Sequence, residues 1–309
     1  MRNRTIPALL TPCALILVAL ALTSCATTQN PYQEGKKAYS QGEYALAVKH
    51  YRQAAEQGNA TAQFNLGVMY DTGTGVEQDK EQAVQWYRKA ALGGDADAQF
   101  NLGVSYDLGE GVEQDKAQAV QWYREAAVQG DANAQFNLGV SYALGEGVEQ
   151  DKVQAVHWYR KAALGGDTDA QLNLGVSYDL GDGVEQDKEM AVHWYREAAQ
   201  QGCPEAQFNL GVSYDLGEGI EQDKEMAALW YHRAAQQGDA TGQLHLGLAY
   251  AKGNGVAPHP VRALMWLTLA AQRGNEAAAQ IAQDIEQSMT PDQIAQAERL
   301  ASQWTPESP

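Results

Sequence analysis

Gly67, Gly103, Gly139, Gly175, Gly211 and Gly247 stand 36 residues apart, and Trp86, Trp122, Trp158, Trp194, Trp230 and Trp266 keep the same interval. A period of this length is the signature of a solenoid built from short supersecondary units. Each unit is too small to bury its own apolar face and must stack on its neighbours.

One unit shows what is stacked. Ala62, Leu66 and Tyr70 recur at helical spacing and form one stripe. Gly73 and Gly75 supply the backbone freedom needed just past a helix end. Asp79, with Gln82 three residues on, reads as a capping box that starts a second helix. Ala83, Trp86, Tyr87, Ala90 and Ala91 keep helical spacing until Gly93-Gly94 ends it. Each unit is therefore helix A, a glycine-rich loop, helix B and a short turn, and no segment reads as a strand. Residues 31–60 form a shorter first unit, with Gly35, Tyr39, Ala45, Tyr51 and Ala54-Ala55 in helical register and Gln41-Gly42 in place of the long loop. Residues 275–305 read as a capping helix pair, its second helix opened by Thr290-Pro291-Asp292-Gln293.

The pattern Leu66-Gly67-x-x-Tyr70, Gly73-x-Gly75-Val76, Asp79, Ala83, Trp86-Tyr87 and Ala90-Ala91 resembles the Sel-one-like repeat family, 36-residue relatives of tetratricopeptide repeats with an enlarged loop. The match recurs six times over residues 61–274, whereas 31–60 is closer to a plain tetratricopeptide unit. The resemblance implies an all-α, right-handed α-solenoid of helix-turn-helix repeats.

The amino terminus reads as a targeting segment. Arg2 and Arg4 precede an apolar run from Cys13 to Leu22, too short to span a bilayer but suited to a signal-peptide core. Leu22-Thr23-Ser24-Cys25 resembles the bacterial lipobox, which implies a lipoprotein signal peptide over residues 1–24 and lipid on Cys25. Residues 25–30 are then the lipidated N-terminus and a short tether. Ala26 after the cysteine favours the outer membrane, with the repeats facing the periplasm. Cys13 leaves with the signal, so Cys203 has no intrachain partner and no disulfide framework is available. The resemblance extends to secreted relatives that pair cysteines within repeats, and this chain lacks those pairs.

Charge narrows the partners. Asp and Glu number 39 against 22 Lys and Arg, a net charge of −17, which excludes nucleic acid, whose phosphates need clustered basic residues. Catalysis finds no motif: there is no H-E-x-x-H, G-x-S-x-G or P-loop, and the histidine positions His157 and His193 hold Gln85, Gln121 and Leu229 in other repeats. The acidic loop Asp107 to Asp115 has Gly109 and Gly111 where a calcium loop needs oxygen side chains. No cofactor, metal or catalytic residue is expected. Cys203 replaces an aspartate at a helix start, where the N-terminus can lower a thiol's pKa, though a tolerated cap substitution accounts for it too.

Helix A has a second face, and this is the candidate site. Phe64, Val68 and Asp71 point away from the Ala62–Leu66–Tyr70 stripe, with Asn65 on their flank. By the tetratricopeptide resemblance this side lines a concave groove, and Asn65 takes the position whose amide binds the backbone of an extended peptide. Asn101, Asn137, Asn173 and Asn209 repeat it, and His245 breaks the series. Val68, Val104, Val140, Val176 and Val212, with Asp71, Asp107, Asp179 and Asp215, would add selectivity for apolar and basic residues. The alternative is that the asparagines only bond to neighbouring repeats or cap local backbone. The phenylalanine and tryptophan rows read as core. The expected function is a membrane-anchored, non-enzymatic adaptor that binds one or more envelope proteins through an extended or helical segment. The alternative is a periplasmic regulator of an envelope enzyme, such as one acting on the cell wall.

Overall fold

In a computed structural model of the chain, the described residues are 30–306. The signal segment 1–24, Cys25 and all of the tether but Asn30 lie outside them. Among the described residues there are 16 α-helices and no strand, the all-α repeat architecture that the period predicts.

The chain divides into two compact units, one ending at Trp86 and one beginning at Tyr87. The first contains α1 (Pro31–Ser40), α2 (Tyr44–Glu56) and α3 (Ala60–Thr72), and the division falls inside α4 (Lys80–Leu92). The second continues through α5 (Ala96–Leu108), α6 (Lys116–Val128), α7 (Ala132–Leu144), α8 (Lys152–Leu164), α9 (Thr168–Leu180) and α10 (Lys188–Gln200). It ends with α11 (Pro204–Leu216), α12 (Lys224–Gln236), α13 (Ala240–Lys252), α14 (Pro260–Gln272), α15 (Glu276–Glu286) and α16 (Pro291–Gln303). From α5 to α14 each helix packs on the next in sequence, so A–B pairs alternate with seams between repeats.

The repeat holding α7 and α8 shows why these residues fold this way. Asp131 sits in extended backbone, and its Oδ1 accepts from the Ala134 N–H at 2.7 Å, satisfying an otherwise orphan donor. Helix A stops where Gly145 turns left-handed at φ +74°. The Gln150 amide then donates to the Ala143 carbonyl at 2.7 Å and holds the loop against the helix end. Asp151 caps helix B by accepting from the Gln154 N–H at 3.0 Å. Gly147 meets two demands at once: φ is +70°, and a Cβ there would lie 2.1 Å from the Lys116 carbonyl oxygen of the preceding repeat.

The capping box read at Asp79 forms only in half. Gln82 N–H donates to Asp79 Oδ1 at 3.0 Å, but the Gln82 amide turns to Asp79 Oδ2 at 3.1 Å. The Asp79 backbone N–H is already given to the Tyr70 carbonyl at 2.9 Å, so it has no need of the side chain. At Thr290 and Gln293 the box is complete.

The predicted stripe is the core. Ala62, Leu66 and Tyr70 are buried, as are Ala134 and Leu138 at the equivalent positions. The latter pack with Tyr123 and Ala126 of α6 and with Trp158 of α8, so Trp158 reaches back across a seam, as Trp194, Trp230 and Trp266 do. Trp158, Trp194, Trp230 and Trp266 are buried, and Trp86 and Trp122 half-buried. Burying an apolar side chain of this class contributes roughly 1.5–3 kcal/mol, repeated at every seam. Phe100, Phe136 and Phe208 are half-buried, each with its ring centroid 5.8 to 6.0 Å from the helix B tyrosine of its own repeat. At the carboxyl end Trp304 meets Trp266 edge-on at 6.0 Å, and Arg273 lies over Trp304 at 4.7 Å.

Candidate functional site

The asparagine, valine and aspartate positions of helix A are all half-buried, neither core nor free surface. In the first unit these are Asn65, Val68 and Asp71 on α3. In the second they are Asn101, Val104 and Asp107; Asn137 and Val140; Asn173, Val176 and Asp179; and Asn209, Val212 and Asp215. The valines Val104, Val140, Val176 and Val212 lean on the seam cores.

The aspartates are not free to select basic residues of a partner. Each pairs with the first lysine of helix B in its own repeat: Lys80 with Asp71 at 2.6 Å, and Lys116 with Asp107, Lys188 with Asp179 and Lys224 with Asp215 at 2.7 Å. The lysines also reach across seams, Lys116 to Glu146 at 3.0 Å, Lys152 to Asp182 at 3.0 Å and Lys188 to Glu218 at 2.8 Å. Hydrogen bonds that Lys116 donates to Asp107 and Glu146 raise its pKa, and those that Lys188 donates to Asp179 and Glu218 do the same. This lysine row went unread in the sequence, although it keeps the 36-residue interval and follows each aspartate by a fixed step.

Behind the ion pairs stand the helix B tyrosines. Tyr123 donates to Asp107 Oδ2 at 3.3 Å, while Asp107 Oδ1 faces Lys116, so one carboxylate bridges two side chains. The Asn137 amide of the next repeat hydrogen-bonds the Tyr123 hydroxyl. Tyr195 hydrogen-bonds Asp179 in the same way. Burial is the main cause that pushes these phenols up, Tyr159 to about 12. Two of the asparagines thus have internal partners: Asn137 through Tyr123, and Asn173, whose amide donates to the Asp169 carbonyl at 3.0 Å.

Two repeats depart from this pattern: Ala143 and Ala251 hold the aspartate position, and only the first of them keeps the lysine, as Lys152, where the second has Pro260. Ala143 stands where its neighbours carry Asp107 and Asp179. There a cleft of about 370 Å³ opens between α7, α8 and α9, bringing Val140, Asn173 and Val176 together with Lys152 and Tyr159. A second cleft of about 230 Å³ lies between α11, α12 and α13, lined by Asp215, Lys224, Tyr231, His245 and Leu248. In it His245 holds the asparagine position, its ring 5.2 Å from that of Tyr231. Both clefts are made by the aspartate position of one repeat and the asparagine and valine positions of the next.

A second device missed in the sequence holds the seams. Gln99, Gln135, Gln171, Gln207 and Gln243 are buried, and each donates to a helix B carbonyl of the preceding repeat, from Ala91 to Ala235, at 3.0 to 3.2 Å. Gln99, Gln171 and Gln207 also accept from Gln129, Gln201 and Gln237 at 2.7 to 2.9 Å. The signal was an invariant glutamine among the apolar positions of helix A.

Cys203 does not behave as a helix-activated thiol. It makes no side-chain cap bond, and burial, with Glu205 beside it, pushes the thiol up. Among the described residues no cluster of His, Cys, Asp or Glu is arranged to hold a metal ion, and no helix is long and apolar enough to cross a membrane.

The repeats match the family model for the Sel1 repeat over residues 32–59, 60–95, 96–131, 132–167, 168–203, 204–239 and 240–275. The chain belongs to the Sel1 repeat family. The shorter unit at the amino end is matched as well, making seven Sel1 repeats. Among solved structures, a Sel1 repeat protein from Oxalobacter formigenes is 38% identical, with a TM-score of 0.68 over 78% of this chain and 96% of that one. A protective antigen present in uropathogenic Escherichia coli strains, displaying an SLR fold, is 29% identical over 89% of this chain and 83% of that one, with a TM-score of 0.49. None of the curated proteins matches. Sel1 repeat proteins are generally protein–protein interaction scaffolds, and the solenoid of helix pairs described above is the fold they share.

Proposed function

We propose that this Sel1 repeat protein is a non-enzymatic adaptor of the bacterial envelope that holds a partner segment along the helix A face. The observation that carries the reading is the cleft at Val140, Asn173 and Val176, where two consecutive repeats leave apolar walls and polar groups open together. A pre-formed surface of this kind takes an extended segment or a helix at little ordering cost to itself.

The membrane link rests on the lipobox-like Leu22 to Cys25 segment and the few residues that separate it from α1. Lipid on Cys25 would keep the repeats beside the outer membrane, facing the periplasm. In cell fractionation, Cys25→Ser should release the protein from the membrane, and mass spectrometry should find the lipid gone. A variant that stays membrane-bound without lipid would overturn the anchor.

In-cell photocrosslinking tests the binding face. A probe at Val140 should give a discrete adduct whose mass spectrum names the partner, while a probe at Gln85, exposed on helix B, should give none. Adducts from Gln85 alone would move the interface to the opposite side of the repeats.

A further inference from the structure

The polar seams of the Asp107 and Asp179 repeats follow one design, and the repeat between them lacks a part. In the repeat of Asp107, a single carboxylate joins Lys116 Nζ at 2.7 Å to the Tyr123 hydroxyl at 3.3 Å. In the repeat of Asp179, the carboxylate meets Lys188 at 2.7 Å and hydrogen-bonds Tyr195. Both lysines hold a second carboxylate from the following repeat, Glu146 or Glu218. Between these two repeats lies the exception. Lys152 has its cross-seam partner, Asp182 at 3.0 Å, but Ala143 offers neither Lys152 nor Tyr159 the carboxylate that the neighbouring repeats supply.

The missing group leaves room behind it. The cleft of about 370 Å³ opens at this point, with Ala143, Lys152, Tyr159 and Asn173 among its walls, the apolar Val140 and Val176 beside them, and Asp182, the cross-seam partner of Lys152, at its edge. The lysine position tolerates two carboxylates, since Lys116 and Lys188 each hold two in the same molecule.

We propose that the Ala143 cleft is a subsite for the side-chain carboxylate of a Glu or Asp in an extended partner segment, which binds Lys152 and Tyr159 in place of the aspartate this repeat lacks. The inference rests on the proposed binding face and sharpens it: the partner residue seated here is acidic and flanked by apolar residues that meet Val140 and Val176. Overall the protein is strongly acidic, at −17; Lys152, already paired with Asp182, would take a second carboxylate as Lys116 and Lys188 do, and that contact gives the surface a fixed point of register for an acidic residue it would elsewhere repel.

The test uses a random peptide library displayed with its carboxyl end fused to the phage coat, so that every available carboxylate comes from a side chain. It is panned on the immobilised full-length protein and on two variants. Ala143→Asp copies the residue of the neighbouring repeats, and it fills the subsite from within. Asp107→Ala opens a second subsite at Lys116. Peptides kept by the native protein should carry Glu or Asp at one fixed position, and a synthetic peptide from that set should bind Ala143→Asp at least about tenfold more weakly. Asp107→Ala should gain affinity for peptides bearing a second acidic residue. Retained peptides with no acidic preference, or with one that survives Ala143→Asp, would overturn the subsite. If such peptides still crosslink to a probe at Val140, the binding face itself stands. Retention of no peptide would overturn both.

Discussion

The ring of Tyr159 lies directly against Gly139, and a Cβ on that glycine would stand 2.6 Å from Cδ1 of the ring. Helix A and helix B of this repeat touch through a residue with no side chain, and Gly175 with Tyr195 and Gly211 with Tyr231 do the same at 2.7 Å. Gly139→Ala would gain helix propensity yet force the ring or the helix aside, and such overpacking costs about 1–3 kcal/mol. The variant should unfold at lower urea than the native protein. An unchanged midpoint would mean that the pair separates freely and that the glycine row has another cause.

The buried glutamines should separate by partner number. Gln171 bonds the Ala163 carbonyl at 3.2 Å and accepts from Gln201 at 2.8 Å, whereas Gln135 bonds the Ala127 carbonyl at 3.0 Å and faces a repeat with Gly165 at the equivalent of Gln201. Gln171→Ala removes two hydrogen bonds at a seam and should cost about 1–3 kcal/mol. Gln135→Ala should cost less, as read from the two denaturation midpoints. Equal losses would show that the carbonyl bond alone carries the effect.

Asp167 predicts a pH dependence. Burial is the main cause that raises its pKa above the usual aspartate value, with Asp169 adding to it, although the Ala170 N–H bond at 2.7 Å pulls the other way. A raised carboxyl pKa means that the folded protein binds the proton more tightly than the unfolded chain. Charging Asp167 therefore removes stability as pH rises through the acid range. Asn caps helices equally well, as Asn59 and Asn275 do here. Asp167→Asn should raise the melting temperature at neutral pH, and the gain should shrink as pH falls below the usual carboxylate range. A gain that stays constant with pH would exclude the charge as its source.

Lys188 has a raised pKa through Asp179 and Glu218, so its contribution is present at neutral pH and is lost as pH climbs past the ordinary lysine value. Its side chain keeps 35% of its exposure, and water screens the pairs. Lys188→Met should cost no more than about 1 kcal/mol, and less in high salt. A larger, salt-independent loss would mean that the two pairs act as one desolvated unit.

The helices, their caps and the apolar stripe could be read from one repeat, because spacing along a helix decides which residues share a face. Ala62, Leu66 and Tyr70 needed no knowledge of the next repeat. The polar seam did. Asp107 looks free on a helical wheel, and only the path of the glycine loop brings Lys116 to within 2.7 Å of it. Gln171 reads as a polar interruption until Ala163 and Gln201 are seen across the seam. Cys203 reads as a helix-start thiol until its neighbours bury it. For the candidate face, the valine and asparagine positions were legible, but not the Ala143 opening. It comes from a residue that is absent, and it shows only against what the surrounding repeats supply.

Because the seams from α6 to α13 are built from equivalent parts, their interfaces are interchangeable. Removing residues 132–167 would join Asp131 to Thr168, set Leu174 where Leu138 had been, and bring Trp194 to the pocket left by Trp158. No new kind of contact would have to be invented. In this part of the molecule, length can change in whole steps, like the marks on a ruler, while each remaining step keeps its fit. This deletion would also erase the mark at Ala143.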